Sequence, residues 1–324
     1  MHSTITKMPP ATDVVAARDK LRRFLNAYWL RPENAFWMTL RSDAMDAVPM
    51  GRPAVDLCCG DGVFSFLHAG GRFTPDFDVF TSVDLPAHVT NDFADMFDYV
   101  DGDYRPKIIA PAVQRIDCGV DAKNALLTKA SRLDLYDRLV LHDNNDPLPF
   151  ETHTFETVYC NAAYWIERID EFLSEIARIT RPGGTIVLQV KLDDIRRYTL
   201  ERHCDKLGDR WLNIIGRGRF DTWPSLCDRG TWEERFDRAD LAVLAEVPFV
   251  TRTHAHVWDV GLRPIAPLLT RAMNAINPHL RAEIKRDWVE LFCELLAPLC
   301  DPGFDLFDTP DEPVEIQYVL TPRD

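Results

Sequence analysis

The chain has 324 residues, and its 51 acidic residues outnumber 37 basic ones, which gives a formal net charge of -14. Such an acidic chain repels phosphate backbones, so we expect no nucleic-acid partner. No apolar run is long enough to cross a bilayer, and the N-terminus lacks the layout of a signal peptide, so we expect no membrane contact. The eight cysteines form no C-x-x-C pair. They indicate free thiols in a reducing compartment, and the expected location is cytoplasmic.

Two helices are predicted at the start of the chain. Apolar residues recur at helical spacing from Asp13 to Leu30, and Asp13 is a suitable N-cap. A second helix is expected to end near Ala47. We assign residues 1–50 to these helices, which either cover a cofactor pocket or pack on the edge of a sheet.

The next stretch predicts a strand, a tight turn and a helix. A short apolar run, Ala54–Leu57, reads as the strand, and the apolar segment Val63–His68 reads as the helix. Glycines in the turn let a ligand approach the backbone, and the start of a helix offers free N–H groups. Strand, glycine turn and helix together form the start of a βαβ unit.

Two acids distinguish this turn from a pyrophosphate site. A dinucleotide fold needs Gly-x-Gly-x-x-Gly, whereas residues 56–62 read Asp-Leu-Cys-Cys-Gly-Asp-Gly. Acids repel pyrophosphate and suit a ligand that carries an ammonium or sulfonium. The stretch resembles the first motif of the class I S-adenosylmethionine (SAM)-dependent methyltransferases, usually Asp-x-Gly-x-Gly-x-Gly, with a cysteine in place of the first glycine. The resemblance implies that SAM contacts Asp56, Cys58, Gly60, Asp61 and Gly62.

Two segments compete for the second strand. Residues 72–115 carry many acids and read as an insertion, yet Val79–Asp84 within them looks like a strand that ends in an acid. The run that ends at Asp121 is preferred, because a helix and then a third strand follow it. A carboxylate at this position can accept two hydrogen bonds from a ribose diol. We therefore assign Asp121 and Ala122 to the cofactor site, with Asp84 as the alternative acid.

The third and fourth strands contribute further candidates at their ends. The third strand leads to Asp143. In the family that the sequence resembles, an acid here meets the adenine amine and the next backbone N–H meets a ring nitrogen. The resemblance implies these roles for Asp143 and Asn144. The fourth strand ends at Asn161, which is expected to face the sulfonium methyl, with Tyr164 on the same wall.

The order of the following elements extends the resemblance. An amphipathic helix over residues 169–179, an Arg-Pro-Gly-Gly turn and an apolar strand over residues 185–190 follow as in small-molecule SAM-dependent methyltransferase domains. The resemblance runs from about Val55 to Val190. It implies an α/β fold: a Rossmann-like, doubly wound, seven-stranded sheet whose last strand is antiparallel, plus helical insertions.

The chain after residue 50 is predicted to have two parts. Residues 51–190 form the SAM-binding core, and residues 191–324 form the rest of the core. In doubly wound sheets, ligands bind at the carboxyl ends of the strands. Helical insertions at 191–230 and 251–312 leave those ends, so we expect them to form a lid over the acceptor.

An oxygen or nitrogen acceptor needs a base to take its proton, and histidine is the usual one. The candidates on the ligand side are His203, His254 and His256, with Tyr164 as a weaker one. On a strand, His254 and His256 would share a face. No third ligand is apparent beside them, so no metal is expected.

The sequence therefore indicates methyl transfer from SAM to a small biosynthetic molecule, at oxygen or nitrogen. The expected partner is that small-molecule acceptor, and a homodimer is compatible with the sequence. One alternative is a degenerate domain that keeps the fold and serves as a partner or regulator, which Cys58 in the motif leaves open. The other, an NAD-dependent oxidoreductase, is disfavoured by the missing third glycine and by the acids in the turn.

Overall fold

The computed structural model describes residues 6–7, 14–85, 96–211, 223–300 and 312–323. The N-cap expected at Asp13 lies outside these residues, as do parts of the three expected insertions. Within them, no helix combines the length and the apolar character that a membrane span requires.

Ten helices and ten strands are present in the described residues. The helices are α1 Val14–Tyr28, α2 Pro32–Met45, α3 Val63–His68, α4 Asn124–Ala130, α5 Ile169–Ile179, α6 Cys204–Trp211, α7 Arg229–Arg238, α8 Arg252–Asp259, α9 Ala266–Asn274 and α10 Pro278–Leu296. The strands are β1 Thr6–Lys7, β2 Ala54–Leu57, β3 Arg72–Phe73, β4 Ile108–Ala110, β5 Ile116–Asp121, β6 Tyr136–Leu141, β7 Phe155–Cys160, β8 Thr180–Lys191, β9 Leu241–Thr251 and β10 Pro313–Pro322.

The main sheet has the predicted Rossmann-like order. Its strands run β6-β5-β2-β7-β8-β10-β9, and the two-residue β1 adds a parallel strand outside β9. The first five strands are mutually parallel, whereas β10 lies between β8 and β9 and is antiparallel to both. The chain moves outward from β2 first to one side and then to the other. This arrangement confirms the doubly wound fold with an antiparallel last strand.

Helices cover both faces of the sheet, and its central strands are therefore buried on both sides. Along β2, every residue is buried, and successive side chains enter opposite cores. Val55 and Leu57 join the core under α5 and α7, whereas Ala54 joins the core under α1, α2 and α3. The first two helices therefore pack on one face of the sheet, whereas the sequence placed them over a cofactor pocket or on the edge of the sheet.

Two strand readings of the sequence do not hold in the structure. Residues Val79–Thr81 form a single 3-10 turn, so this run is not the second strand, and Asp84 lies exposed in the loop after it, in keeping with the preference for Asp121. Residues 254–256 belong to α8, so the two histidines there do not alternate as on a strand. A helix at this position follows from Thr251, whose side chain takes part in a capping box with the third helical residue, His254.

A buried carboxylate in the acidic insertion, that of Asp78, bonds to two other parts of the domain. Asp78 accepts hydrogen bonds from the indole N–H of Trp29 (2.6 Å) and from the Arg281 guanidinium (2.6 Å). Its other oxygen accepts from the backbone N–H of Phe80 (2.8 Å). Asp78 thus joins the end of α1, the insertion and α10.

We expect Asp78→Ala to lower the free energy of unfolding by about 3 kcal/mol, because it leaves the Arg281 guanidinium buried without its carboxylate. The side chains of this pair are only 2% and 12% exposed. Asp76→Ala is the matched control, because Asp76 pairs with Lys107 at 53% and 71% exposure. Removing that surface pair should cost less than about 1 kcal/mol. Equal urea-unfolding midpoints for the two variants would contradict the assignment.

Candidate active site

The carboxyl ends of four parallel strands lie side by side at one edge of the sheet. Leu57, at the end of β2, pairs with Val120 in β5 on one side and with Cys160 in β7 on the other. Asp121 in turn pairs with Leu141 at the end of β6. The candidate residues that end or follow these strands therefore come from adjacent strand ends.

Asp121 lies against the glycine turn that follows β2. Its Oδ2 accepts a hydrogen bond from the Gly60 N–H, and its Oδ1 accepts one from the Lys123 N–H, both at 2.9 Å. The side chain is nearly buried, and this burial raises the pKa of the Asp121 carboxyl. Asp84 is exposed, and its backbone N–H bonds to the Met96 carbonyl at 3.0 Å. Of the two candidate acids, only Asp121 is joined to the turn by a hydrogen bond in the described structure.

Cys58 occupies a backbone conformation that normally favours glycine. Its φ is +61°, in the left-handed region, where a residue with a Cβ is strained. The side chain is held from both sides: the Asn144 amide donates to its Sγ at 3.1 Å, and the Cys160 thiol lies beside it. Cys160 and burial raise the pKa of Cys58 well above its ordinary value. Cys58 is therefore a neutral thiol that joins the ends of three strands.

Asp56 is buried under the turn and does not face solvent. Its Oδ2 accepts hydrogen bonds from the Ser65 hydroxyl (2.6 Å) and the Tyr136 hydroxyl (2.7 Å). Burial raises the pKa of Asp56 to about 6, and the nearby carboxylate of Asp121 adds to this, although the two hydroxyl donors oppose it. The structure therefore places Asp56 where it connects β2 with α3 and β6.

The other turn residues set the start of α3. Asp61 Oδ1 accepts a hydrogen bond from the Val63 N–H at 3.0 Å. Gly62 has a φ of +74°, and a Cβ added there would lie 3.1 Å from a ring carbon of Tyr136. The glycine is therefore required both by the backbone and by the close approach of β6.

Ala122, Asp143 and Asn161 follow the neighbouring strands. Ala122 and Asp143 are exposed, and Asn161 is half-buried. The Asp143 carboxylate accepts a hydrogen bond from the Asn145 N–H at 2.9 Å, which stabilises the turn after β6. Ala122 and Asn161 thus follow the two strands that flank β2, and Asp143 follows the next strand, β6.

A group of aromatic rings lies beside Tyr164, just beyond the end of β7. The ammonium of Lys191, the last residue of β8, lies 4.3 Å from the ring centroid of Trp37, 4.5 Å from that of Tyr164 and 4.8 Å from that of Trp223. We call these four residues the Lys191 cage. An ammonium between ring faces is attracted by their negative quadrupole.

Charged groups from distant parts of the chain complete this corner. Lys191 and Arg41 both form ion pairs with Glu315 at the start of β10, and these three side chains are at least nine-tenths buried. The Trp37 indole N–H donates to Glu315 at 2.9 Å, and an Arg41 N–H donates to the Tyr164 hydroxyl oxygen at 3.2 Å. A guanidinium can only donate, so the Tyr164 oxygen accepts here and its own hydrogen is left to donate elsewhere.

His254 has both ring nitrogens occupied within the fold. Its Nδ1 accepts a hydrogen bond from the Thr251 N–H at 3.0 Å, and its Nε2 lies 3.0 Å from the Leu299 carbonyl oxygen. Nε2 therefore carries the hydrogen. This histidine links the start of α8 to a following segment, which is a structural role.

The other two candidate histidines occupy separate positions. The ring of His256 packs edge-on against Tyr198, with centroids 6.2 Å apart. His203 lies in a 3-10 turn, where the Arg202 side chain donates to its Nε2 at 2.9 Å. The three histidines thus do not form one cluster. Within the described residues, no group of three or more His, Cys, Asp and Glu side chains could hold a metal ion.

The charged part of this corner has almost no signal in the sequence. Lys191 closes an otherwise apolar strand, and that lysine is the one signal that could have been noticed. Arg41, Trp223 and Glu315 gave none, because each lies in a different part of the chain and only the fold brings them together.

Residues 109–188 match the family model described as a methyltransferase domain. The match covers about a quarter of the chain and begins after the glycine turn. Together with the strand order, it indicates a Rossmann-like methyltransferase fold, and the cofactor that this fold implies is SAM. A search of curated proteins gives no match.

Several solved structures are similar to the chain at low identity. A chain of the Haloferax volcanii complex with the Trm112 methyltransferase activator is 16% identical with a TM-score of 0.45, and the alignment covers 96% of this chain and 97% of that one. The [4+2]-cyclase SpnF is 14% identical with a TM-score of 0.45 and full coverage of both chains (100% and 100%). A SAM-dependent methyltransferase from Clostridium acetobutylicum is 8% identical with a TM-score of 0.41, covering 89% and 92%. Similarity at these TM-scores is no evidence for the fold or the function, and the fold assignment rests on the observed strand order.

The raised pKa of Asp56 predicts a pH-dependent stability. A carboxyl that binds its proton more tightly in the folded state stabilises the fold at low pH, and that stabilisation is lost as pH rises from about 4 to about 6. A shift of about two pKa units corresponds to about 3 kcal/mol. Asp56→Asn removes the titrating group. We expect the stability of the wild type relative to this variant to fall by about 3 kcal/mol between pH 3 and pH 7.

Urea unfolding at several pH values measures this difference. Tyr136→Phe keeps the carboxyl but removes one donor to its charged form, so its stability should fall further with rising pH than that of the wild type. A difference between wild type and Asp56→Asn that stays constant across this range would show that Asp56 titrates normally.

Proposed function

We propose that the protein transfers the methyl group of SAM to a small-molecule acceptor, at oxygen or nitrogen, and that the donor binds at the turn after β2. The observation that carries this proposal is the meeting of Asp121 with Gly60 at the ends of adjacent parallel strands. Bound SAM supplies an electrophilic methyl on a sulfonium. The protein then needs mainly to orient the two reactants and to exclude water, and orientation alone is worth roughly 7–11 kcal/mol.

Two features of the turn support a fit to the donor. A Cβ added at Gly60 would meet no atom within 4 Å, so there is open space beside the backbone. The Oδ1 of Asn144 is buried and has no hydrogen-bond partner among the described residues. An acceptor atom of this kind suits a donor group on a ligand. We assign Asp121 to the ribose hydroxyls and the segment of Asp143 and Asn144 to the adenine.

The proposal gives the corner around Tyr164 to the acceptor. Asn161 and Tyr164 follow the fourth parallel strand, next to the proposed donor site, and the Lys191 cage adds flat apolar surfaces. Because Arg41 donates to the Tyr164 oxygen, the Tyr164 O–H can donate to an acceptor and orient it. His203 and His256 remain candidates for the base, whereas the contacts of His254 disfavour that role.

The degenerate-domain alternative depends on Cys58, and the local geometry disfavours it. Cys58 adopts the left-handed conformation that a glycine would take, so the turn keeps its path despite the substitution. The side chain is directed toward Asn144 and Cys160. Tight binding of S-adenosylhomocysteine without turnover on any acceptor would favour the alternative.

We expect Asp121→Ala to weaken SAM binding by about 10- to 150-fold, which corresponds to about 1.5–3 kcal/mol for lost hydrogen bonds to a charged group. Isothermal titration measures this change. Asp84→Ala is the control and should bind SAM like the wild type. Asp84 is exposed, and its backbone N–H bonds to the Met96 carbonyl and not to the glycine turn. If Asp84→Ala bound SAM more weakly and Asp121→Ala did not, the assignment of the ribose to Asp121 would be wrong.

We expect Tyr164→Phe to lower kcat/KM for the acceptor by about tenfold while SAM affinity stays unchanged, because one oriented hydrogen bond to the acceptor is lost. The assay follows S-adenosylhomocysteine formation with a panel of small phenols, amines and carboxylates. Trp165→Phe is the matched control, since this neighbouring ring is 54% exposed. Equal losses in both variants, or a loss of SAM affinity in Tyr164→Phe, would remove Tyr164 from the acceptor site.

A further inference from the structure

A cavity lies at the end of the sheet opposite the proposed donor site. Its volume is about 410 Å³, within the range of small-molecule pockets. Ala54 and Ile116, the first residues of β2 and β5, and the ring of Tyr159 lie along its floor. The end of α2 and the C-terminal half of α3 form its walls. We call it the basal cavity, because parallel strands begin there.

The wall of the basal cavity is mainly apolar. Met45 is buried, Val48 and Met50 are half-buried, and Ala54 and Ile116 are buried below them. At the rim, Val113 is 89% exposed. An apolar side chain at the entrance of an apolar cavity favours an apolar occupant.

The charged side chains at the mouth are already paired. Arg115 forms ion pairs with Asp134 and Asp137, and Asp46 forms one with Lys20. A charged ligand would lose its hydration there and would have to compete for these partners. The mouth therefore favours an uncharged ligand.

The imidazole of His68 lines the cavity and offers a hydrogen bond. His68 Nδ1 lies 2.9 Å from the Ser42 hydroxyl, and within the described residues Nε2 has no hydrogen-bond partner. Burial lowers the pKa of His68 to about 4, so the ring is neutral near pH 7. The ring is also fixed by stacking on Phe64, with an angle of 5° between the planes. A neutral, fixed imidazole nitrogen is suited to a hydroxyl group.

We propose that the basal cavity binds a small, uncharged, mainly apolar molecule with a hydroxyl group that meets His68. The site is separate from the donor edge, and its existence does not depend on methyl transfer. It is connected to that edge through α3: Ser65 lines the cavity, and its hydroxyl donates to Asp56 directly before the glycine turn.

Three molecules of one shape test the ligand class on the full chain: 2-naphthol, naphthalene and 2-naphthoate. We expect 2-naphthol to bind with one site per chain in ligand-observed NMR titrations. Naphthalene should bind about three- to tenfold more weakly, since it lacks one hydrogen bond. The anion 2-naphthoate should not compete with 2-naphthol. Absence of 2-naphthol binding up to its solubility, or tighter binding of 2-naphthoate, overturns the proposal.

Two variants test the location. Val48→Trp fills the cavity and should abolish binding of both neutral probes. Leu291→Trp is the control, because Leu291 lies on α10 and is 66% exposed. His68→Phe keeps an aromatic ring at this position but removes both imidazole nitrogens, so 2-naphthol should bind it no better than naphthalene does. Met50→Trp replaces Val48→Trp if circular dichroism shows that the latter does not fold. Unchanged 2-naphthol binding in a folded cavity-filling variant places the probe elsewhere and overturns the proposal.

Discussion

The geometry of the glycine turn depends on a carboxylate that belongs to the neighbouring strand. Asp121 accepts the N–H of Gly60 with one oxygen and that of Lys123 with the other. Pairing of β2 with β5 and closure of the turn are therefore coupled, because each brings the other's hydrogen-bond partner into place. Without this contact, the strand-to-helix path would rest on a left-handed cysteine and two glycines, which are flexible or strained elements.

The parts of the fold that the sequence predicted are those with local signals. The bounds of β2, α3 and α5 follow from short apolar runs, from glycines and from helical periodicity, all of which lie within a few residues. The sequence favours Asp121 over Asp84 for a similar reason, because a helix and then a third strand are predicted after Asp121. The strand geometry considered for residues 254–256 is wrong, because Thr251 caps a helix that begins at Arg252, directly after the strand.

The charged corner could not be predicted in the same way. Arg41, Lys191 and Glu315 are separated by more than a hundred residues from one another, and their pairing exists only after β10 has inserted between β8 and β9. A sequence shows which side chains are charged. It does not show which of them become neighbours, since that depends on the long-range order of the strands. The basal cavity cannot be predicted for the same reason, because its lining comes from five separate elements, β2, β5, β7, α2 and α3.

Three tryptophans lie together around the corner that holds Lys191. The rings of Trp37 and Trp258 are 5.0 Å apart, and those of Trp258 and Trp223 are 5.7 Å apart. The chain has eight tryptophans in all, and three of them lie at this corner, which also holds the buried ammonium of Lys191. Indole emission is sensitive to nearby charge and hydration. The protein therefore carries its own optical reporter at this corner, with no need for an attached dye.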